Sequence, residues 1–342
     1  RENNLPTLED MGGYSVVRYN VSRPVSSGSG NMIFHNKKFR KMVGLKLLET
    51  RPEIIHCHDA DTLALGVRMK KEYGAKLVFD MHDLAHTWAI MPNPMNPFRH
   101  FVGKLLKRKM LRLIRFSDIV FTSSGKLEGG KFDGLAEWLE RRGVKSTPVF
   151  NRPLKTSMAE QHTGDYTLGF IGRVRDQSSF DLLAKAIELL EPDERPIVRI
   201  AGDGIIHNYI NNRFAKLCNS GLKLRMTGRF QLRELHEIIS ETSVMYCVYD
   251  PRRGNIPEGA LPVKMFDAAF HNRPIICNSD CLMEDLLGTE GFNGIATPWG
   301  DAEKLADAIR GLEKFDGVYA KTLTWEDEAE KIVSGYRQLL NK

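Results

Sequence analysis

Short apolar runs alternate with helix-length segments through most of the 342 residues of this chain. In the first half, the runs EIIHC, KLVFD and DIVFT begin at Glu53, Lys76 and Asp118, and segments of helical length separate them. A second series of such runs begins at Thr167 and continues to Cys277. This alternation is typical of βαβ units, whose parallel sheet is covered by helices on both faces. The predicted fold class is therefore α/β, with two Rossmann-like doubly wound parallel-sheet domains that face each other across a cleft.

The length of the chain and a break in its pattern both favour two domains. A single hydrophobic core seldom serves more than about 250–300 residues, and the periodicity lapses over residues 149–161, which include Pro153. We predict a first Rossmann-like domain over residues 1–152 and a second over residues 153–324. A C-terminal helix over residues 325–342 is expected to pack back on the first domain.

The composition excludes several classes of protein. There is no apolar run of the length that a membrane-spanning helix requires, and the polar start of the chain does not resemble a secretory signal. The five cysteines form no CxxC pair, which favours reduced thiols in a cytoplasmic protein and argues against a zinc site. We therefore expect a cytoplasmic protein that binds no metal.

Positive charge is concentrated in one segment of a chain whose formal net charge is +6. No acidic residue occurs from Leu84 to Ser117, where the cations are Arg99, Lys104, Lys107, Arg108, Lys109, Arg112 and Arg115. Residues 97–115 predict an amphipathic helix with a basic stripe and an apolar stripe that packs on the sheet, the latter made of Val102, Leu106, Met110 and Leu113. A basic face predicts an anionic partner, either a phosphorylated acceptor or the headgroups of a membrane to which the protein binds peripherally.

Successive strands of the second series end in glycine. Gly172 and Arg173 follow the run Thr167–Ile171, and Gly202-Asp203-Gly204 follow the run Ile197–Ala201. A third run leads into Gly228, Arg229 and Phe230. Glycine lets a ligand approach the backbone, and the planar guanidinium of arginine can bind a phosphate. Because ligands of such sheets bind beyond the carboxyl ends of the strands, these loops predict a binding site.

A long loop over residues 250–262 leads into a helix that is predicted to begin near Val263. Lys264 lies in the first turn of this helix, and Asp267 follows one turn later. The free amides of a helix N-terminus favour a bound phosphate group. A lysine at this end opposes the helix dipole unless an anion is present, so its position predicts a diphosphate site. The alternative is a surface pair of Lys264 with Asp267.

These motifs, in this order, resemble the nucleotide-sugar domain of retaining GT-B glycosyltransferases in the large family numbered four. Residues 262–269 (PVKMFDAA) and 273–276 (RPII) carry the same likeness, and residues 56–59 (HCHD) and 79–84 (FDMHDL) resemble the acceptor-side loops of that family. The resemblance implies a metal-independent hexosyltransferase with no further cofactor. It implies transfer from a nucleotide sugar, expected to be a UDP- or GDP-sugar, to a glycan or lipid-linked acceptor in cell-envelope polysaccharide or glycoconjugate synthesis. The acceptor is then expected on residues 1–152 and the nucleotide sugar on residues 153–324.

The resemblance also implies roles for individual residues. His82, near the donor sugar, and Arg173 and Lys264, at the departing diphosphate, are the predicted catalytic residues. Asp267 is expected to bind the ribose, and the backbone around Arg229 and Phe230 the base. The other predicted substrate-binding residues are Gly172, Gly202, Asp203, Gly204, Glu258, Gly259, Ala260, Leu261 and Pro262.

The sequence departs from the family pattern at three places. Ser178 and Ser179 stand where the family usually has a lysine followed by a glycine. Gly259, rather than Glu258, stands where the first acidic residue of a paired motif is expected. No strand with a glycine-rich loop precedes Tyr14, and a first domain that lacks its first strand and helix would explain this.

Other functions stay open at this point. A degenerate GT-B protein could bind a nucleotide or a partner without catalysis, and a nucleotide-sugar epimerase or a phosphorylase-like enzyme could use the same scaffold. A protein that binds nucleic acid could use the basic helix. No RNP motif, zinc finger or recognition-helix pattern supports that reading, so nucleic acid is not the expected partner.

Overall fold

The computed structural model describes residues 6–19, 21, 29–91, 95–156, 158–160, 162–313 and 323–341. The chain divides into two compact units, of which the smaller consists of Arg1–Met81 with Arg108–Val120 and the larger of His82–Lys107 with Phe121–Lys342. The predicted domain boundary after residue 152 stays a prediction.

The smaller unit contains a hairpin, two helices and a pair of parallel strands. Its elements are β1 (Leu8–Asp10), β2 (Ser15–Val17), α1 (Ser29–Thr50), β3 (Ile54–His58), α2 (Ala60–Tyr73) and β4 (Lys76–Met81). The first two strands pair antiparallel, and β3 pairs parallel with β4, with Cys57 opposite Phe79. A Cβ on Gly66 of α2 would lie 2.5 Å from both the Cys57 sulfur and a Leu77 methyl group. The helix therefore approaches the strands most closely at this glycine.

Helices and two further strands lie between β4 and the second series of strands. They are α3 (Thr87–Ile90), α4 (Pro97–Ile114), β5 (Ile119–Thr122), α5 (Leu135–Glu140) and β6 (Thr147–Pro148). β5 pairs parallel with β6, with Phe121 opposite Thr147.

The larger unit is built on a six-stranded sheet. Its strands are β7 (Thr167–Ile171), β8 (Ile197–Ala201), β9 (Leu224–Thr227), β10 (Val244–Cys247), β11 (Ile275–Asn278) and β12 (Gly294–Thr297). They are ordered β12-β11-β10-β7-β8-β9, and every neighbouring pair is parallel. The chain order reverses between β7 and β10, and doubly wound sheets bind their ligands beyond the carboxyl ends of the strands at such a point.

Helices accompany the strands of this sheet. They are α6 (Gln177–Glu188), α7 (His207–Asn219), α8 (Leu235–Ser240), α9 (Val263–Phe270), α10 (Leu282–Thr289), α11 (Ala302–Leu312) and α12 (Trp325–Leu340). One core joins Phe180, Phe214 and Ile309 of α6, α7 and α11. A second core joins Ile239, Phe266 and Leu286 of α8, α9 and α10. The strands β7, β8, β10 and β11 are buried at every residue, because helices cover both faces of the sheet. The prediction of an α/β fold with parallel sheets is confirmed.

A buried ion pair holds the C-terminal helix. Glu328 of α12 accepts hydrogen bonds from the backbone amide of Phe150 and from Nε of Arg152, both at 3.0 Å. The side chains of Arg152 and Glu328 are each 4% exposed. Glu290, which directly follows α10, lies 3.3 Å from the same arginine and supplies a second carboxylate.

The structure corrects the predicted apolar stripe of α4. Of its four residues only Met110 is fully buried, and Leu106 is 43% exposed. The buried stripe instead runs through Gly103, Met110 and Ile114. A Cβ on Gly103 would lie 3.1 Å from the carbonyl oxygen of His86, so the helix is turned to pack on residues 86–90 at its glycine. Within the described residues, no helix is both long enough and apolar enough to cross a membrane.

Candidate diphosphate site of the larger unit

The loops that follow β7 and β8 pack backbone against backbone. The Gly172 amide donates to the carbonyl of Ala201, and the Val174 amide donates to that of Asp203, at 2.8 and 2.9 Å. A Cβ on Gly202 would lie 1.9 Å from the Gly172 oxygen, and one on Gly204 would lie 1.8 Å from the Val174 oxygen. The neighbouring loop thus explains why positions 202 and 204 carry no side chain. A role for these glycines in ligand binding stays a prediction.

Lys264 lies at the carboxyl end of β7. Its Nζ atom is 3.2 Å from the centre of the Phe170 ring. It is also 3.6 Å from the point that a Cβ on Gly172 would occupy. Burial lowers the pKa of Lys264 to about 8; the charge of Arg253 acts in the same direction, and Cys247 and Asp267 act against it. Within the part of the chain described, the ammonium group makes no hydrogen bond or ion pair. The structure therefore brings together the predicted residues 172 and 264 and leaves this cation available to a ligand.

The N-terminus of α9 is open, whereas that of α6 is closed. Asp176 caps α6 by accepting a hydrogen bond from the Ser179 amide. The N-cap of α9 is Pro262, which makes no side-chain capping bond. Backbone amides and a helix dipole without a cap favour an anion. An anion at this edge of the sheet is thus expected at α9, beside Lys264.

Asp267 follows Lys264 by one turn and is half-buried. Burial raises the pKa of Asp267 to about 7, and the charge of Lys264 opposes this rise. Such a carboxyl group accepts hydrogen bonds when ionised and also donates one when protonated. Binding of ribose hydroxyls by Asp267 stays a prediction.

Two cations of this region were not among the predicted site residues. Nη1 of Arg253 lies 3.1 Å from Oδ2 of Asp176. The pKa of Arg175 is lowered by burial and by the charges of Arg173 and Arg253. Arg173 itself is exposed. The sequence gives a weak indication of Arg175, which stands two positions after the predicted site residue Arg173. It gives no indication that Arg253, far along the chain, lies near either residue.

Residues 82–91 lie against the loop that follows β10. A Cβ on Gly254 would lie 3.5 Å from the Thr87 methyl group, and Nη2 of Arg253 is 3.5 Å from the sulfur of Met91. His82 is half-buried, and its carbonyl accepts a hydrogen bond from the Ser123 hydroxyl at 2.8 Å. The predicted position of His82 near a donor sugar stays a prediction.

The loop over residues 258–262 is fixed by contacts of Gly259. The Ser124 hydroxyl donates to the Gly259 carbonyl at 2.6 Å. A Cβ on Gly259 would lie 2.6 Å from the Asp133 oxygen, and the φ angle of this glycine is +92°. An acidic side chain therefore does not fit at position 259, which explains one departure from the family pattern. The neighbouring Glu258 is half-buried. Burial and the charge of Arg142 lower the pKa of Lys107, and the charge of Glu258 opposes this effect.

The remaining predicted residues lie in different surroundings. Ala260 and Leu261 are buried, and Leu261 packs in the core of α9. Phe230 is half-buried against the same core, whereas Arg229 and Asp203 are exposed. Contact of these residues with a base or a sugar stays a prediction.

Three potential metal ligands meet in the smaller unit. Nδ1 of His58 is 3.1 Å and Nε2 of His56 is 3.9 Å from Oδ2 of Asp80. The two imidazole rings are stacked, with centroids 4.3 Å apart and planes 13° from parallel. Their lone pairs lie in the ring planes and thus run side by side rather than towards one point. The predicted absence of a bound metal stays a prediction.

Comparison with known proteins finds a family model that matches part of the chain. Residues 165–314 match the family model described as Glycosyl transferases group 1. The match begins just before β7 and ends after α11, and it covers less than half of the chain. No curated protein sequence matches this chain.

Solved structures share the fold at low sequence identity. Sucrose-phosphate synthase from Thermosynechococcus elongatus has a TM-score of 0.70 and 13% identity, over 99% of this chain and 86% of that protein. TarM of S. aureus, in complex with fondaparinux, α-GlcNAc-glycerol and UDP, has a TM-score of 0.59 and 15% identity, over 87% of this chain and 56% of TarM. A Listeria monocytogenes protein assigned as a UDP-N-acetylglucosamine 2-epimerase has a TM-score of 0.54 and 10% identity, over 90% of this chain and 79% of that one. The fold is thus similar to that of sucrose-phosphate synthase, of TarM and of an assigned epimerase.

Proposed function

We propose that the protein is a GT-B glycosyltransferase that moves a hexose from a nucleoside-diphosphate sugar to an acceptor hydroxyl. The observation that carries the proposal is Lys264, a half-buried cation at the uncapped N-terminus of α9 that has no anionic partner among the described residues. It lies beside Gly172, at the sheet edge where the strand order reverses. The match of residues 165–314 to Glycosyl transferases group 1 supports the same function.

The charge change of the reaction explains the use of such a cation. When the bond between the sugar and the diphosphate breaks, the diphosphate gains negative charge and the sugar ring becomes positive. Fixed cations and amide groups near the diphosphate stabilise this state, and the loss of one well-placed donor typically slows such reactions about 100–1,000-fold. We propose that Lys264, Arg173 and the first amides of α9 have this role, without a metal and with retention of configuration at the sugar.

The proposed donor is a UDP- or GDP-sugar, and the proposed acceptor is a glycan or lipid-linked molecule in cell-envelope polysaccharide or glycoconjugate synthesis. The TarM structure supports the nucleotide, because it contains UDP. An epimerase would use the same donor on a similar fold, as the Listeria monocytogenes protein illustrates. The two functions differ in their products, because an epimerase changes the sugar of the donor without transferring it.

A thermal-shift screen with UDP-, GDP- and ADP-sugars tests the proposal. The wild type is expected to gain stability with at least one donor, and Lys264→Met and Arg173→Ala are expected to reduce this gain. Lys304→Met is the matched control, because Lys304 also lies in the first turn of a helix but is 65% exposed in its side chain. No gain with any donor, or an unchanged gain in both site variants, contradicts the site. An epimerised donor formed without an acceptor contradicts the transferase.

We also propose that the protein associates peripherally with the inner face of the cell membrane through the outward face of α4. Phe98, Phe101 and Leu105 are 70%, 58% and 47% exposed. Their spacing of three and four residues places them on one face, opposite the buried stripe of Gly103, Met110 and Ile114. This face continues towards the helix C-terminus through the exposed Arg108 and Arg112.

Exposed aromatic side chains beside cations are typical of helices that lie at a membrane surface. On this outward face, Phe98, Phe101 and Leu105 lie in the first half of α4, and Arg108 and Arg112 lie in its second half. An anionic lipid surface matches both, since acyl chains take up the apolar groups and headgroups bind the cations. This location would place a lipid-linked acceptor close to the protein.

A further inference from the structure

Arg253 lies in the same region as Lys264 and is held in one orientation. It ends the short helical turn Pro251–Arg253, and its side chain is 21% exposed. Nη1 lies 3.1 Å from Asp176, and Nη2 lies 3.5 Å from the sulfur of Met91. The guanidinium group carries five N–H donors, and the described residues bind only part of them.

The charge of Arg253 acts directly on the candidate site. It lowers the pKa of Lys264, after the larger effect of burial, and it also lowers that of Arg175. Nζ of Lys264 and Cζ of Arg253 lie 5.6 and 5.9 Å from the centre of the same Tyr249 ring. Cations held together in this way repel one another, and a multiply charged anion between them removes the repulsion.

Asp176 cannot neutralise the positive charges of both Arg253 and Lys264. Its carboxylate already accepts hydrogen bonds from the amides of Ser179 and Asp250, in addition to its contact with Arg253. One carboxylate shared in this way orients Arg253 and caps α6. The positive charge of Lys264 still lacks an anionic partner among the described residues.

We propose, on the basis of the function proposed above, that Arg253 binds the diphosphate of the donor together with Lys264. In the transfer, the bond between the anomeric carbon and the diphosphate oxygen breaks, and its electron pair stays on that oxygen. The acceptor oxygen forms the new bond to the anomeric carbon, and its proton passes to solvent. The departing nucleoside diphosphate thus gains one negative charge, which Arg253 stabilises through charge-assisted hydrogen bonds. Arg253 in this way supplies the cation that is absent at Ser178.

The neighbouring arginine provides a matched control. Arg252 bonds to Asp250 within the same turn, with Nη2 2.6 Å from Oδ2, and its side chain is 59% exposed. Asp250 thus binds Arg252, whereas Asp176 binds Arg253. Removing either charge changes the net charge of the protein equally, so a difference between the two variants reports on position.

The test measures the dissociation constants of UDP, GDP and ADP, and of the matching monophosphates, by titration calorimetry. The proteins are the wild type, Arg253→Gln, Arg252→Gln and Lys264→Met. For the diphosphate that binds the wild type most tightly, R253Q is expected to weaken binding about ten- to hundredfold. The loss for the monophosphate is expected to be smaller, and R252Q is expected to stay within about twofold of the wild type.

The outcomes separate this inference from the proposed function. Wild-type affinity in R253Q together with weak binding in K264M overturns the role of Arg253 and leaves the proposed function standing. An equal loss for mono- and diphosphate also overturns it, because Arg253 would then only shape the loop. If no nucleotide binds the wild type, both proposals fall. Arg253→Met, which fills a similar volume beside Met91 and Tyr249, replaces R253Q if the glutamine variant does not fold.

Discussion

The ammonium group of Lys264 lies 3.2 Å from the centre of the Phe170 ring. A cation over an aromatic face is attracted to it, by about 2 kcal/mol when both are removed from water. This attraction offsets only part of the cost of burying a charge that has no anionic partner in the part of the chain that the structure describes. The site therefore holds a cation at a cost to the stability of the protein, and that cost is recovered when an anion binds.

Replacing Lys264 by Met is expected to change how stability depends on pH. The pKa of Lys264 is about 8 in the folded protein, whereas a lysine in the unfolded chain has a pKa of 10.5. Between pH 8 and pH 10.5 the unfolded chain therefore binds more protons than the folded protein. The wild type therefore gains stability as the pH rises through this range, and Lys264→Met does not. At pH 6 the variant is expected to equal the wild type or exceed it by about 0.5–2 kcal/mol.

Urea unfolding at pH 6, 8, 9 and 10 measures this effect. Lys304→Met serves as the control, since its exposed lysine is not expected to alter the profile. A K264M profile parallel to that of the wild type from pH 8 to 10 contradicts the prediction.

Replacing Gly202 by Ala is expected to cost about 3 kcal/mol or more of unfolding free energy. The new Cβ would overlap the Gly172 carbonyl oxygen at 1.9 Å, and the φ angle of +138° adds strain. Gly221→Ala is the control, because its φ angle is +98° but no atom lies within 4 Å of the new Cβ. Thermal or urea unfolding of both variants separates the steric overlap from the strain. Equal losses in the two variants would show that the two loops do not pack this closely.

Replacing Glu328 by Ala is expected to destabilise the protein by about 3–5 kcal/mol, because it leaves the buried Arg152 with Glu290 as its one carboxylate partner among the described residues. The Phe150 amide also loses its acceptor. Glu330→Ala removes an exposed pair with Arg337 from the same helix and is expected to cost at most about 1 kcal/mol. Chemical denaturation compares the two variants, and similar small losses would contradict the packing of α12 described above.

Removing cations from the outward face of α4 is expected to weaken binding to anionic vesicles. Each lysine or arginine near such a surface contributes about 1 kcal/mol, so Arg108→Ser with Arg112→Ser is expected to reduce vesicle binding roughly thirtyfold. Phe98→Ser with Phe101→Ser is expected to reduce it as well, through lost burial of apolar surface.

Co-sedimentation with vesicles of phosphatidylcholine alone or mixed with phosphatidylglycerol provides the measurement. Lys37→Ser with Lys41→Ser on α1 removes the same charge from another helix and serves as the control. Equal binding to neutral and anionic vesicles, or equal loss in the control, would refute docking through α4.

The sequence by itself determined the succession of strands and helices. The predicted strands Thr167–Ile171 and Ile197–Ala201 agree with β7 and β8, and the predicted start of a helix near Val263 agrees with α9. This information is local, because a strand covered on both faces is predominantly apolar and clusters of turn-forming residues separate it from the next element. The sequence also identified Lys264 as a cation in the first turn of that helix.

Only the tertiary structure decided how distant segments meet. Arg253 pairs with Asp176, 77 positions away, and Gly202 is needed because the backbone of Gly172 passes beside it. The buried face of α4 was also predicted incorrectly in part, since Leu106 is exposed and the helix is oriented by the packing of Gly103 against the chain near His86. Hydrophobic periodicity specifies which residues are buried but not what they are buried against. These contacts depend on the order of the strands and on backbone approach, neither of which has a local signature in the sequence.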